Sequence, residues 1–264
     1  MNSLVASKWK LAVRVIPFVI VILAVKFVLH RFNLEFLGLS PLFTAIISAN
    51  IFLIGFLISG VLADYKEAEK IPGELACCLE TMSDEGLFIH QTKKDPAAKA
   101  FLKHLENLTR SLDDWFHKKL KTNGMMGQIR ELNAYFPALE PLTQANFIAR
   151  LKQEQNNLRK LVTRIHTIRE TDFNEAGYAI AEIITLLLIA GMIFIKIDPF
   201  YQSMFFVGFV SFILIYMVIL IKDLDNPFGY YDNSLSQDIS LKPLSDFRRR
   251  IEEINREPEE EINN

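Results

Sequence analysis

Residues 42–63 read LFTAIISANIFLIGFLISGVLA and contain no charged side chain over 22 positions. A helix rises 1.5 Å per residue, so a helix of this length crosses the hydrocarbon core of a bilayer. The segment is not uniformly apolar. At helical spacing, one face carries small, polar and aromatic residues together: Ser48, Phe52, Gly55, Phe56 and Ser59. Because lipid offers no partner to polar groups, this face predicts contact with another helix or with an aqueous path.

Three further apolar runs are long enough to span a membrane, at residues 11–29, 177–195 and 199–221. Charged residues make up 23% of the chain and are concentrated between and after these runs. The pattern predicts an all-α protein with an N-terminal membrane block (1–63), a cytoplasmic helical region (64–174), a C-terminal membrane block (175–221) and a cytoplasmic tail (222–264). The net charge of −2 does not favour nucleic-acid binding.

The distribution of Lys and Arg predicts the orientation. Lys8 and Lys10 precede the first span, whereas the short links between spans contribute little beyond Arg31 and Lys196. We therefore expect the N-terminus, the central region and the C-terminus to be cytoplasmic, in a bacterial inner membrane. No small-residue cleavage site follows the first run, which predicts an uncleaved span. Its two cations, Arg14 and Lys26, are expected to snorkel to the interfaces.

The central region is predicted to be helical. One helix should continue from the second span to about residue 91, with an interruption at Pro72-Gly73. Asp95 and Pro96 have the pattern of an N-cap and first helical residue. The helix that follows should run to about Thr122 and end at Asn123-Gly124. A shorter helix at 125–135 and a long one from about Thr143 complete the region, a further helix is expected at 246–256, and 257–264 should be disordered.

No phosphate-binding loop, nucleophile elbow, dinucleotide fingerprint or zinc motif occurs in the sequence. We therefore expect neither an enzyme nor a bound cofactor or metal ion. Two polar residues inside spans leave alternatives open. Glu182 is either a carboxylate on an ion path or subunit interface, or a wet group at the membrane surface. Asn50 forms either an interhelical hydrogen bond, which we favour, or part of a polar pore wall, and Gly55 and Ser59 share that ambiguity.

Two motifs resemble the bestrophin family. The second span contains a Phe-x-x-Gly-Phe run ending at Phe56, and soon after it comes Tyr65 with a nearby Glu-Ala pair. The fourth span is followed by the Asn-Pro-Phe-Gly element that bestrophins carry at this place: Asn226, Pro227, Phe228 and Gly229. The topology of four spans with a large helical insert is also similar. The sequence thus looks like a divergent, prokaryotic-type bestrophin.

The resemblance implies a homo-oligomer, namely a pentamer, with a central ion pore lined by the second helix. The family's hydrophobic neck corresponds here to Ser48, Phe52 and Phe56. Ser48 departs from the family, which has an isoleucine-like residue there, so the outer ring should be more polar. Aromatic edges carry partial positive charge, which gives a slight preference for anions such as chloride.

Animal members place an acidic calcium clasp after Asn-Pro-Phe-Gly, whereas this chain continues with Tyr230, Tyr231, Asp232 and Asn233. Calcium gating is therefore not expected. The alternative to a channel is a non-conducting membrane scaffold or sensor whose cytoplasmic helices bind a partner protein. Either protein would have the lipid bilayer and its own copies as partners, and only the channel would also pass small ions.

Overall fold

The computed structural model describes residues 2–170, 175–230 and 238–256. Its helices are α1 (Asn2–Arg31), α2 (Pro41–Ala68), α3 (Ile71–Lys93), α4 (Pro96–Phe116), α5 (Thr122–Glu131), α6 (Phe136–Leu139), α7 (Ala145–Glu170), α8 (Glu175–Phe194), α9 (Phe200–Asp225) and α10 (Lys242–Arg256). Two strands of two residues each, β1 (Leu37–Gly38) and β2 (Ile195–Lys196), pair in parallel. The predicted all-α membrane fold is confirmed.

Four stretches of helix in the described residues are long and apolar enough to cross a membrane. They match the four predicted runs, except that the third ends one residue earlier, at Phe194, and the fourth begins one residue later, at Phe200. The contacts divide the chain into two compact units. The membrane unit contains α1, nearly all of α2, α8 and α9. The helical unit contains α3 to α7 and α10, together with residues 228–230 and 238–241.

In the membrane unit, α1 packs along α9, and α8 packs against both. A Cβ atom added at Gly208 would lie 3.3 Å from the Leu23 side chain, so the small residue allows α1 and α9 to approach closely. α2 contributes Ile54, Leu57 and Val61 to the buried core that it shares with α8 and α9. The links between spans meet where β1 pairs with β2, with Leu37 opposite Ile195.

The expectation that Lys26 snorkels to the interface is wrong. Its side chain is fully buried and forms an ion pair with Glu35, with 2.5 Å between Nζ and Oε1. Lys26 also donates hydrogen bonds to the carbonyl oxygens of Ile193 and Ile195, at the end of α8. The ammonium group has protein oxygens around it, so it does not need to reach water.

In the helical unit, α3 packs against α4, α7 and α10. The predicted cap is confirmed, because the Asp95 carboxylate accepts a hydrogen bond of 2.8 Å from the Ala97 amide. An apolar stripe at helical spacing on α4 is buried, with Phe101, Leu105, Leu108, Leu112 and Trp115 at most 1% exposed. This stripe explains why a sequence rich in charge forms a stable helix here.

The predicted end of α4 is wrong. The helix ends at Phe116, and Lys118 adopts a left-handed conformation with φ of 57°. The amides of Lys119 and Leu120 then turn back to the Asp114 carbonyl. Asn123-Gly124 does not stop a helix, since both residues lie in the first turn of α5. The interruption between α2 and α3 falls at Glu69 and Lys70, so Pro72 lies inside the first turn of α3.

The helix expected at 246–256 is part of α10, which begins four residues earlier, at Lys242. Leu244, Phe247 and Ile251 are buried, and the helix packs against α3 and α4. Several sequence predictions lie outside the described residues: the calcium-clasp positions Tyr231, Asp232 and Asn233, the junction at 171–174, and the C-terminal segment 257–264.

Candidate functional site

The site is built on α2, which has two unlike faces. Asn50, Ile54, Leu57 and Val61 recur at helical spacing and are at most 1% exposed. This face packs into the core of the membrane unit. The other face carries Ser48, Phe52, Gly55, Phe56 and Ser59, which we call the α2 stripe, and all five residues are exposed. The sequence periodicity predicts that the five residues of the α2 stripe share one face of the helix.

The two aromatic side chains of the α2 stripe contact little within the subunit. Phe52 is 77% exposed and Phe56 is 66% exposed. The subunit core is formed without them, so their packing does not explain why they are aromatic. Whatever the α2 stripe contacts lies outside the described subunit, either in lipid, in water or on another copy of the chain.

Gly55 and Ser48 have no steric role inside the subunit. A Cβ atom added at Gly55 would meet no atom within 4 Å. A glycine in a helix interior costs about 1 kcal/mol relative to alanine, so close packing within the subunit is not what requires it. The Ser48 hydroxyl donates a 3.0 Å hydrogen bond to the Thr44 carbonyl of its own helix. Its hydrogen is therefore satisfied locally, and its oxygen remains as an acceptor.

Asn50 lies on the buried face. Its side-chain amide donates a 3.0 Å hydrogen bond to the Thr185 hydroxyl on α8, and the residue is 1% exposed. This contact is the interhelical hydrogen bond that the sequence leaves open as one of two roles. The pair joins two spans that are distant in sequence, and no local pattern indicates Thr185 as the partner.

Glu182 lies on α8 and forms an ion pair with Lys222 on α9. The Glu182 side chain is 41% exposed and that of Lys222 is 58% exposed. Close by in sequence, the Tyr178 hydroxyl donates a 2.8 Å hydrogen bond to the Asp225 carboxylate. Polar contacts thus tie the first turns of α8 to the last turns of α9.

The Asn-Pro-Phe-Gly element follows the end of α9. Asn226 is the C-terminal cap residue of that helix. Phe228 belongs to the helical unit, where it is fully buried and its ring lies 6.0 Å from that of Phe116. Tyr230 meets the same Phe116 ring edge-on at 5.7 Å and donates a hydrogen bond to the Ile239 carbonyl. Within the helical unit, Phe228 and Tyr230 therefore pack on the end of α4.

No group of three or more His, Cys, Asp or Glu side chains in 9–170, 176–230 and 238–256 is arranged to hold a metal ion. The site contains no charged residue in the α2 stripe itself, so its chemistry is limited to aromatic edges, one hydroxyl acceptor at Ser48 and the hydroxyl of Ser59.

No protein-family model and no curated protein sequence matches this chain. Solved structures do match. A single-substitution variant of a bacterial bestrophin homologue from Klebsiella pneumoniae superposes with a TM-score of 0.76 at 15% identity, covering 92% of this chain and 99% of that chain. A second structure of the Klebsiella pneumoniae homologue gives a TM-score of 0.75 at 14% identity, with 93% and 99% covered.

Proposed function

Since the chain has the fold of the bacterial bestrophin homologues, we propose that it is a homo-oligomeric ion channel whose subunits place the α2 stripe around a common axis. We further propose that five subunits form the ring. The membrane is the inner membrane of a bacterium, and both chain termini lie in the cytoplasm, as the distribution of Lys and Arg predicts.

The proposal depends above all on the exposure of the α2 stripe. In a membrane helix that faced only lipid, apolar residues would cover the exposed side. Here Ser48, Gly55 and Ser59 are exposed together with two phenylalanines, beside the exposed aliphatic residues Ile46 and Ile51. The other exposed membrane faces differ, since the exposed positions on α8 include Ile183, Leu186 and Leu187. This contrast within one subunit favours α2, rather than α8, as the helix that faces the symmetry axis of an oligomer.

The chemistry of the α2 stripe suggests how ions would pass. Rings of Phe52 and Phe56 would form a narrow apolar constriction, and such constrictions gate by dewetting. Ring edges carry partial positive charge, so edge-on phenylalanines favour a partly dehydrated anion over a cation. The Ser48 ring would be wetter and would present oxygen acceptors, which oppose that preference. The net result is a slight preference for anions such as chloride.

The direct test is ion flux into liposomes that contain the purified full-length protein. Phe52→Ala and Phe56→Ala should each raise chloride flux several-fold, because the constriction becomes wider and wetter. Phe206→Ala is the matched control, since Phe206 is 50% exposed on α9 and does not belong to the α2 stripe. Its flux should equal that of the wild type.

Cysteine accessibility tests the geometry without depending on conduction. Cys77 is exposed and Cys78 is buried, so both are first replaced by serine. Cysteines at positions 48, 52 and 59 should then react with a water-soluble thiol reagent in the membrane, whereas cysteines at 54 and 57 should not. Uniform protection of both sets, together with unchanged flux in the phenylalanine variants, would reject the channel and favour a non-conducting scaffold.

A further inference from the structure

The helical unit contains a cleft of about 410 Å³ far in sequence from the α2 stripe. It lies where the loop after α4, the start of α5 and the end of α7 come together. Among the described residues, Lys118, Lys121 and Arg169 line it together with the carboxylate Glu170. Three cationic side chains beside one carboxylate make this described lining suited to an anion.

The back wall of this basic cleft is held by a hydrogen-bonded network. The Trp115 indole N–H donates to the Thr122 hydroxyl at 3.1 Å, and that hydroxyl lies 3.3 Å from Nδ1 of His166. The Arg169 guanidinium lies over the Trp115 ring at 5.3 Å and donates a 3.2 Å hydrogen bond to the Trp115 carbonyl. These contacts fix the direction of the guanidinium, so little side-chain entropy remains to be lost when an anion arrives.

We propose that the basic cleft binds a phosphate monoester. Its volume lies within the range of small-molecule sites and is far larger than a halide needs. A phosphate dianion matches a guanidinium and two ammonium groups, which supply charge-assisted hydrogen bonds. A nucleobase is not favoured, because Trp115, the aromatic residue in the lining, is 1% exposed and offers no free face for stacking.

The monoester has two possible sources, a soluble metabolite or the headgroup of phosphatidic acid. Glu170 stands five positions before Glu175, the first residue of α8, so the basic cleft is close to a span along the sequence. That neighbourhood makes a lipid source worth testing beside the soluble one. The inference goes beyond the proposed channel and does not depend on conduction, since binding is measured without ion flux.

The experiment measures binding of glycerol 3-phosphate to the full-length protein in detergent by calorimetry. The test variant is the double substitution Lys118→Gln and Lys121→Gln. The matched control is Lys119→Gln, because Lys119 belongs to the same loop but pairs with Asp114 at 3.7 Å and does not line the cleft. The double variant should bind about tenfold or more weakly, a difference of about 1.4 kcal/mol, while the control stays within about twofold of the wild type.

A second arm reconstitutes the same three proteins in phosphatidylcholine with or without phosphatidic acid and counts retained phosphatidic acid by native mass spectrometry. Loss of binding to either probe in the double variant alone supports the proposal and identifies the source. Binding that is equal in all three proteins, or absent for both probes in the wild type, overturns it. Oligomer size and helix content, compared across the variants, separate lost binding from misfolding.

Discussion

Lys26 shows how a single residue can be misjudged from sequence. A lysine near the end of a span usually reaches the interface through its flexible stem. Here the ammonium group is buried because Glu35, from the following link, and the carbonyl oxygens of Ile193 in the last turn of α8 and Ile195 in β2 surround it. None of these partners is indicated by the pattern around Lys26, since each lies in another part of the chain.

We predict that Lys26→Met destabilises the protein by about 3–5 kcal/mol, because it leaves Glu35 with its side chain 5% exposed and without its lysine partner. Glu35→Gln should destabilise in the same way. The loss of unfolding free energy in the double variant should be smaller than the sum of the losses in the two single variants. Thermal unfolding in detergent can measure this difference. Lys196→Met, at a side chain that is 60% exposed, should change stability by less than about 0.5 kcal/mol. Additive effects would contradict the pairing.

Ser48 gives a second prediction at the scale of the residue. We expect Ser48→Ile to lower ion flux several-fold, because it adds volume and apolar surface to the outer ring of the proposed neck. Ser48→Ala removes the hydroxyl without adding volume, so it separates the loss of the hydroxyl from the added bulk. Since the hydroxyl hydrogen is already used by Thr44, alanine should keep most of the flux. A loss with alanine as large as that with isoleucine would show that the hydroxyl itself matters.

At the scale of the element, the helices with the clearest periodicity are the ones predicted well. The spans and the apolar stripe of α4 follow directly from composition and spacing. The end of α4 does not, because it depends on the left-handed backbone at Lys118, which is neither Gly nor Asn. Asn123-Gly124 has a stop signal that the start of α5 overrides. The exposed side of α2 was predictable as a pattern, whereas Thr185 as the partner of Asn50 was not.

The packing of α10 is difficult to predict from its sequence, because charged residues outnumber the three apolar residues that it buries. Glu106 of α4 has a side chain only 3% exposed, and it contacts Lys103, Arg110 and, from α10, Asn255. Burial by itself raises the pKa of the Glu106 carboxyl. The hydrogen bonds from Lys103 and Asn255, and the charges of Lys103 and Arg110, outweigh burial and hold the pKa below its ordinary value. The ionised carboxylate therefore helps to dock α10.

The lowered pKa of the Glu106 carboxyl determines how the stability of the fold depends on pH. A carboxyl whose pKa is lower in the folded state stabilises the fold above its unfolded value of about 4.3, and the contribution is lost as the pH falls from there through the folded pKa. We predict that amides of α10 exchange faster at acidic than at neutral pH after correction for intrinsic rates. Glu106→Gln should cost about 1–3 kcal/mol at neutral pH and should reduce this dependence. Glu253→Gln, at an exposed position of α10, should change neither the free energy of unfolding nor the pH dependence of amide exchange.

At the scale of the whole molecule, Gly55 offers a test of the proposed assembly. Within one subunit a larger residue at 55 meets nothing, so Gly55→Ala should leave the subunit fold intact and even favour the helix by about 0.5–1 kcal/mol. If copies of α2 meet about an axis, Gly55→Leu should instead weaken the assembly, because the added side chains compete for the space between neighbouring helices.

Native mass spectrometry of the detergent-solubilised protein measures this difference. We predict a pentamer for the wild type and a reduced pentamer fraction for Gly55→Leu. Gly73→Leu is the control for adding bulk at a glycine, since a Cβ atom there also meets nothing within 4 Å, but at the start of α3 rather than in the α2 stripe. Because a ring needs several copies of the α2 stripe to enclose a path, a wild-type protein that stays monomeric would leave that stripe facing lipid and would remove the physical basis of the channel.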